Sequence, residues 1–178
     1  MRQSIASIAL IRRGQGLDTL WLAQWNTRWR CYHFVGGHKQ DDESFRQCVI
    51  RELTEELEIA EGSGFAVAQQ PLARLDYTAW SDGAGQQTHY VMELFDVELI
   101  GEAARRQVDA DPRNRWLTEA EIRSGRCADD QPVSETMGRI LNQACLWAAD
   151  TRQVLAARDP GVLPDDDVDR NSERRKGG

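Results

Sequence analysis

The chain lacks a paired-cysteine framework. Its four cysteines, Cys31, Cys48, Cys127 and Cys145, show no CxxC spacing. They read as reduced thiols, and the expected location is cytoplasmic. A long apolar run is also missing. The N-terminal segment MRQSIASIALIRRG holds only a short, alternating one, which argues against a signal peptide or a membrane span. Nor is there a surplus of positive charge. Twenty-two Lys and Arg against 29 Asp and Glu leave a formal net charge of −7. That balance argues against an extended nucleic acid or an anionic membrane as partner. A small phosphorylated ligand stays open, because bound divalent metals invert the local sign. No internal repeat is present.

What is present fits one globular domain. With 178 residues, 40% of them hydrophobic, the chain can bury a substantial core. Residues 4–13 and 19–25 read as strands from their apolar alternation, and 29–35 as a third strand ending in the Gly36-Gly37 loop. A helix follows to about Leu57, with Asp41, Asp42 and Glu43 crowding its start. Residues 65–80 and 87–99 read as two longer strands. Residues 101–114 are polar and read as a surface loop. Thr118 is read as the N-cap of a short strand–helix unit at 115–122, and residues 134–157 read as a final amphipathic helix. Composition changes after Asp159-Pro160. The domain is therefore assigned to residues 1–158, followed by a disordered tail at 159–178.

The informative stretch is the acidic end of the first helix. Ile50, Leu53 and Leu57 make one apolar band, and Phe45, Cys48 and Val49 make a second that runs into Glu52, Glu55 and Glu56. Three carboxylates at spacings of three and four repel one another. At the edge of a buried band they need a counter-cation or protons, and Arg51 alone cannot neutralise three. Hard oxygen ligands grouped in this way suit Mg²⁺ or Mn²⁺.

These residues carry a resemblance. Gly37, Glu43 and the run from Arg51 to Ile59 resemble the Nudix box, GX5EX7REUXEEXGU, where U is a bulky aliphatic residue. Eight of its nine specified positions agree, and Glu58 stands where the pattern has glycine. Glutamate there either adopts a strained left-handed cap or lets the helix continue towards Gly62. The resemblance implies an α/β fold, a Nudix-type α/β/α sandwich with a mixed β-sheet between helices. It further implies hydrolysis of a pyrophosphate bond in a nucleoside diphosphate linked to another group. Glu52, Glu55 and Glu56 would ligate Mg²⁺ or Mn²⁺ with the Gly36 carbonyl, Arg51 would orient them, and Gly37 and Glu43 would support the loop. Glu52 is the first candidate for the base, with Glu102, Asp109 and Asp111 as alternatives from a loop. A non-catalytic nucleotide-binding sensor is the alternative function. The implied partner is a small nucleotide, and homodimer formation is left open. Arg30, Tyr32 and His38 are candidate substrate contacts, and Trp25 and Trp29, interleaved with Arg28, are aromatics able to stack on a base.

Overall fold

The computed structural model describes residues 1–81 and 84–147. The assigned domain boundary at 158, the tail at 159–178 and the last part of the 134–157 helix fall outside the described residues. Strand β1 (Arg2–Arg13) lies at the centre of an eight-stranded mixed sheet. Its apolar residues point to both faces, as a strand covered on two sides requires. Ala6 and Leu10 enter one apolar cluster, Ala9 and Ile11 the other. β1 pairs in parallel with β7 (Gln86–Leu99), from Arg2 opposite Thr88 to Ile11 opposite Val97. Every other strand pair is antiparallel. β5 (Phe65–Val67) and β6 (Ala73–Ser81) flank β7, and β2 (Leu20–Asn26) carries β3 (Cys31–His33) and β8 (Asn114–Thr118).

Helices cover both faces. α1 (Phe45–Leu57) and α2 (Gly101–Ala110) bury Val49, Leu53, Leu57, Ala104 and Val108 in one cluster. α3 (Glu119–Ser124) and α4 (Glu135–Gln143) bury Ile122, Met137, Ile140 and Leu141 in the other. The expected α/β/α sandwich is thus present. No helix among the described residues is long and apolar enough to cross a membrane.

Several local expectations are corrected. Gly36 and Gly37 are not a loop; they belong to a short strand, β4 (Gly36–His38), paired with β1 at Ala6–Ile8. Gly36 has φ +145, and a Cβ there would collide with the Ser7 carbonyl, so this close approach to β1 requires glycine. Trp29 and Arg30 lie in a turn before β3, which shortens the strand expected at 29–35. The strand expected at 65–80 is broken into β5 and β6. Residues 101–110 are helical: Ala104 and Val108, four apart, form a narrow buried stripe that the surrounding charged residues conceal in the sequence. α4 ends at Gln143.

The ends of α1 are set by side chains. Asp41, Asp42 and Glu43 precede the helix, and no acid lies in its first turn. Ser44 is the cap: its Oγ accepts from Gln47 N, and Gln47 Oε1 accepts from Ser44 N at 2.8 Å, a capping box worth about 1 kcal/mol. The helix stops at Glu58, which adopts φ 56, ψ 32. It does not continue towards Gly62. Freed terminal carbonyls need donors. Gln24 Nε2 and Arg113 Nη2 donate to the Glu56 carbonyl at 3.1 and 3.2 Å. Gln107 Nε2 donates to those of Leu57 and Glu58. A left-handed glutamate is strained where glycine is not, so Glu58→Gly is expected to stabilise the protein by up to about 1 kcal/mol. The check is the midpoint of urea unfolding; an unchanged or lower midpoint contradicts it.

Candidate functional site

Arg51, projecting from α1, joins the turn before the helix to the helix itself. Its Nη2 and Nε donate to the two oxygens of Glu43 at 2.8 and 3.1 Å. Nη2 also reaches the His38 carbonyl at 3.1 Å. Nη1 donates to Glu52 Oε1 at 2.7 Å and, more weakly, to Glu55 Oε2 at 3.4 Å. This forked pairing uses the planar geometry that lysine lacks. The Arg51 guanidinium pulls the Glu43 carboxyl down to about 2. Glu43 Oε1 also accepts from Gln40 N at 2.8 Å, so it ties residues 38–43 to α1.

The acids differ in surroundings. Glu52 has a side chain only 14% exposed, whereas Glu55 is 60% exposed. The buried band therefore extends into Glu52 and Glu56, while Glu55 stands at its wet edge. The Glu52 carboxylate fills the space beside Gly37, where any Cβ would collide with it. Glu56 is the odd one. Its Oε2 is buried without a hydrogen-bond partner. Burial, then the negative charge of Glu52, raises its carboxyl to about 7, opposed by a backbone hydrogen bond from Gly36 and by Arg113.

Among the described residues no three His, Cys, Asp or Glu side chains already surround a metal position. Arg51 Nη1 lies between Glu52 and Glu55, but its single charge also faces Glu43 and so offsets only part of theirs. The donor set nonetheless fits a hard divalent cation: it is all oxygen, it carries excess negative charge, and one buried oxygen lacks a partner.

The remaining candidates separate. His38 is exposed at the end of β4, its Nε2 3.1 Å from Ser4 Oγ, and only its carbonyl touches Arg51. Tyr32 lies in the cluster under α3 and α4, edge-on to Trp25, on the sheet face away from α1. Arg30 is exposed in the turn, with φ 54. The acids expected on a loop sit on or just after α2. Glu102 faces Arg106, Asp109 accepts from Trp116 Nε1 at 2.6 Å, and Asp111 is gripped by Arg113, which lowers its carboxyl. Gln24, Gln107 and Arg113 escaped the sequence reading; they act on the end of α1 from distant elements and carry no local signal. An open cleft of about 510 Å³ between α3 and α4, lined by Arg123, Glu135 and Trp147, is on the opposite face.

Glu56 gives a pH signature. Its folded-state value is raised above the ordinary 4.5. Its contribution to stability is therefore complete below that ordinary value and is lost as pH rises through about 7. In metal-free protein the melting temperature is expected to fall between pH 5 and pH 8, and Glu56→Gln is expected to flatten that fall. A variant with the same slope as the wild type contradicts the assignment.

Comparison with known proteins identifies the family. The family model described as NUDIX domain matches residues 1–137. Among curated proteins none matches by sequence. Solved structures share the fold at low identity. NrtR of Shewanella oneidensis is 17% identical with a TM-score of 0.58, over 87% of this chain and 65% of that one. The C. elegans Ap4A hydrolase is 18% identical with a TM-score of 0.51, over 88% of this chain and 100% of that one. The NUDIX domain of NrtR in complex with ADP ribose is 14% identical with a TM-score of 0.52, over 87% and 90%. The chain thus spans less than two thirds of the length of the NrtR chains that it matches, 63% and 65%. The match from residue 1 to 137 covers well over half of the sequence, and the chain belongs to the NUDIX domain family.

Proposed function

We propose that this protein is a divalent-metal-dependent hydrolase that cleaves the pyrophosphate bond of a nucleoside diphosphate linked to another group. The observation that carries the reading is Glu56, a half-buried side chain whose Oε2 is buried without a partner, on a helix whose box keeps every acid and Arg51. A degraded box would favour the alternative, a sensor that binds without turnover.

Glu52, Glu55 and Glu56 would hold Mg²⁺ or Mn²⁺, with the Gly36 backbone beside them. When bound, such a cation neutralises phosphate charge and lowers the pKa of a coordinated water towards neutrality. The chain's own groups do the rest. Arg51 fixes Glu52 through one carboxylate oxygen, and Glu52 is the first candidate to take a proton from the attacking water, as a ligand or from just outside the ligand set. Asp111, held down by Arg113, is a poor base at neutral pH, which supports Glu52 over it. Glu43 keeps Arg51 in place, and Gly37 leaves room for the Glu52 carboxylate. The ligands named for the similar folds, Ap4A and ADP ribose, are both nucleotides with internal pyrophosphate linkages. They head the substrate panel, followed by dinucleotide cofactors, (d)NTPs and nucleotide sugars.

Glu56→Gln is expected to reduce Mg²⁺-dependent turnover by about a hundredfold or more while the protein stays folded. In the wild type, Mg²⁺ is expected to raise the melting temperature, and less so in this variant. Full activity of Glu56→Gln, or nucleotide binding without turnover across the whole panel, overturns the hydrolase reading. Gly37→Ala is expected to displace the Glu52 carboxylate. It should lower kcat by about tenfold or more while shifting unfolding little; an unimpaired kcat removes Glu52 from the mechanism.

A further inference from the structure

Trp29 is 57% exposed in the turn between β2 and β3. A single exposed aromatic is ordinary, but this one is held in place. Asn26 Oδ1 accepts from both Arg28 N and Trp29 N at 3.0 Å, and Arg30 N donates to the Asn26 carbonyl at 2.7 Å. The Trp29 ring meets the His33 ring edge to face, centroids 5.6 Å apart, at 72°. Its remaining surface is open to solvent.

The face it occupies is the relevant one. His33 is directly opposite Gln24 across the β2–β3 pair, so both side chains project to the same side of the sheet. Gln24 Nε2 donates to the Glu56 carbonyl at the end of α1. Along the extended segment, His33 and Val35 face α1 while Tyr32 and Phe34 enter the opposite cluster. His33 stands three residues before Gly36, at most about 11 Å of backbone away, and the next residue, Gly37, lies against the Glu52 carboxylate. That distance is the reach of a ribose and its phosphates. Trp25 and Tyr32, the other aromatics of this stretch, are paired with each other on the far face. Charge adds to the case. Arg28 and Arg30 flank Trp29 and are both exposed, and among the described residues neither guanidinium forms an ion pair. Arg12, Arg13, Arg46, Arg74, Arg113 and Arg115 face acids, and Arg105, Arg123 and Arg139 face a carbonyl or a ring. Two uncompensated cations beside an open indole, in a chain of net charge −7, suit a ligand that is both aromatic and anionic.

We infer that Trp29 is the platform on which the base of the nucleotide stacks, with Arg28 and Arg30 attracting its phosphates, so that Trp29 selects substrates that carry a base next to the scissile pyrophosphate. This rests on the proposed hydrolase site. It removes Tyr32 from the set of substrate contacts.

The test is calorimetric titration of the full chain with ADP and, separately, with inorganic pyrophosphate, both in Mg²⁺. Trp29→Ala is expected to weaken ADP at least about fivefold, with Trp29→Phe retaining most of the affinity, because every aromatic face stacks. Pyrophosphate affinity is expected to stay within about twofold of the wild type, since pyrophosphate has no base to stack. Equal ADP affinity in wild type and Trp29→Ala overturns the platform, as does an equal loss for both ligands. Wild type that binds pyrophosphate but not ADP overturns the platform while sparing the hydrolase reading. Wild type that binds neither ligand overturns both.

Discussion

The arrangement hangs on one guanidinium. Arg51 contacts Glu43, Glu52, Glu55 and the His38 carbonyl, and so connects β4, the turn before α1 and the acidic end of the helix. Without it, several carboxylates would face each other at the edge of an apolar layer, where charge is poorly solvated. With it, one acid is left over. The division of labour follows: Glu43 takes most of Arg51, Glu52 and Glu55 share its other nitrogen, and Glu56 lies beyond its hydrogen bonds with only Arg113 acting on it from a distance.

The sheet makes that distribution possible. Gly36 lies flat against the Ser7 backbone of β1, and Ser7 Oγ donates to the Phe45 carbonyl in the first turn of α1 at 2.7 Å. β1 thereby positions both walls of the acidic site, β4 on its edge and α1 on its face. The far end of α1 is closed from other directions, by Gln24 of β2, Gln107 of α2 and Arg113 before β8. A helix secured at both ends can carry clustered like charges without fraying.

Sequence reasoning was strongest where one short stretch carries the information. The box spacing from Gly37 to Ile59, the two-period strands and the Thr118 cap are all local, and the structure has them in place. It failed where the deciding contact is distant. Whether Gly36-Gly37 is a turn or a strand depends on β1, some thirty residues earlier. α2 reads as loop because only Ala104 and Val108 are buried among eight polar or small neighbours. Tyr32 and Trp29 look equivalent in the sequence, yet Tyr32 lies within β3 and turns into the core, while Trp29 sits in the preceding turn at the surface. Glu58 was legible as an anomaly but not in its outcome, since the donors that end the helix come from Gln107 and Arg113.

The parallel β1–β7 ladder has a kinetic consequence. Its partners, Arg2 with Thr88 through Ile11 with Val97, are separated by most of the length of the domain, and closing so long a loop costs entropy before any contact repays it. On a growing chain, β1 emerges first and waits for β7. The seat of α1 on β1 is completed only when β7 arrives. The seat of the α1 carboxylates is therefore complete only once this long loop has closed.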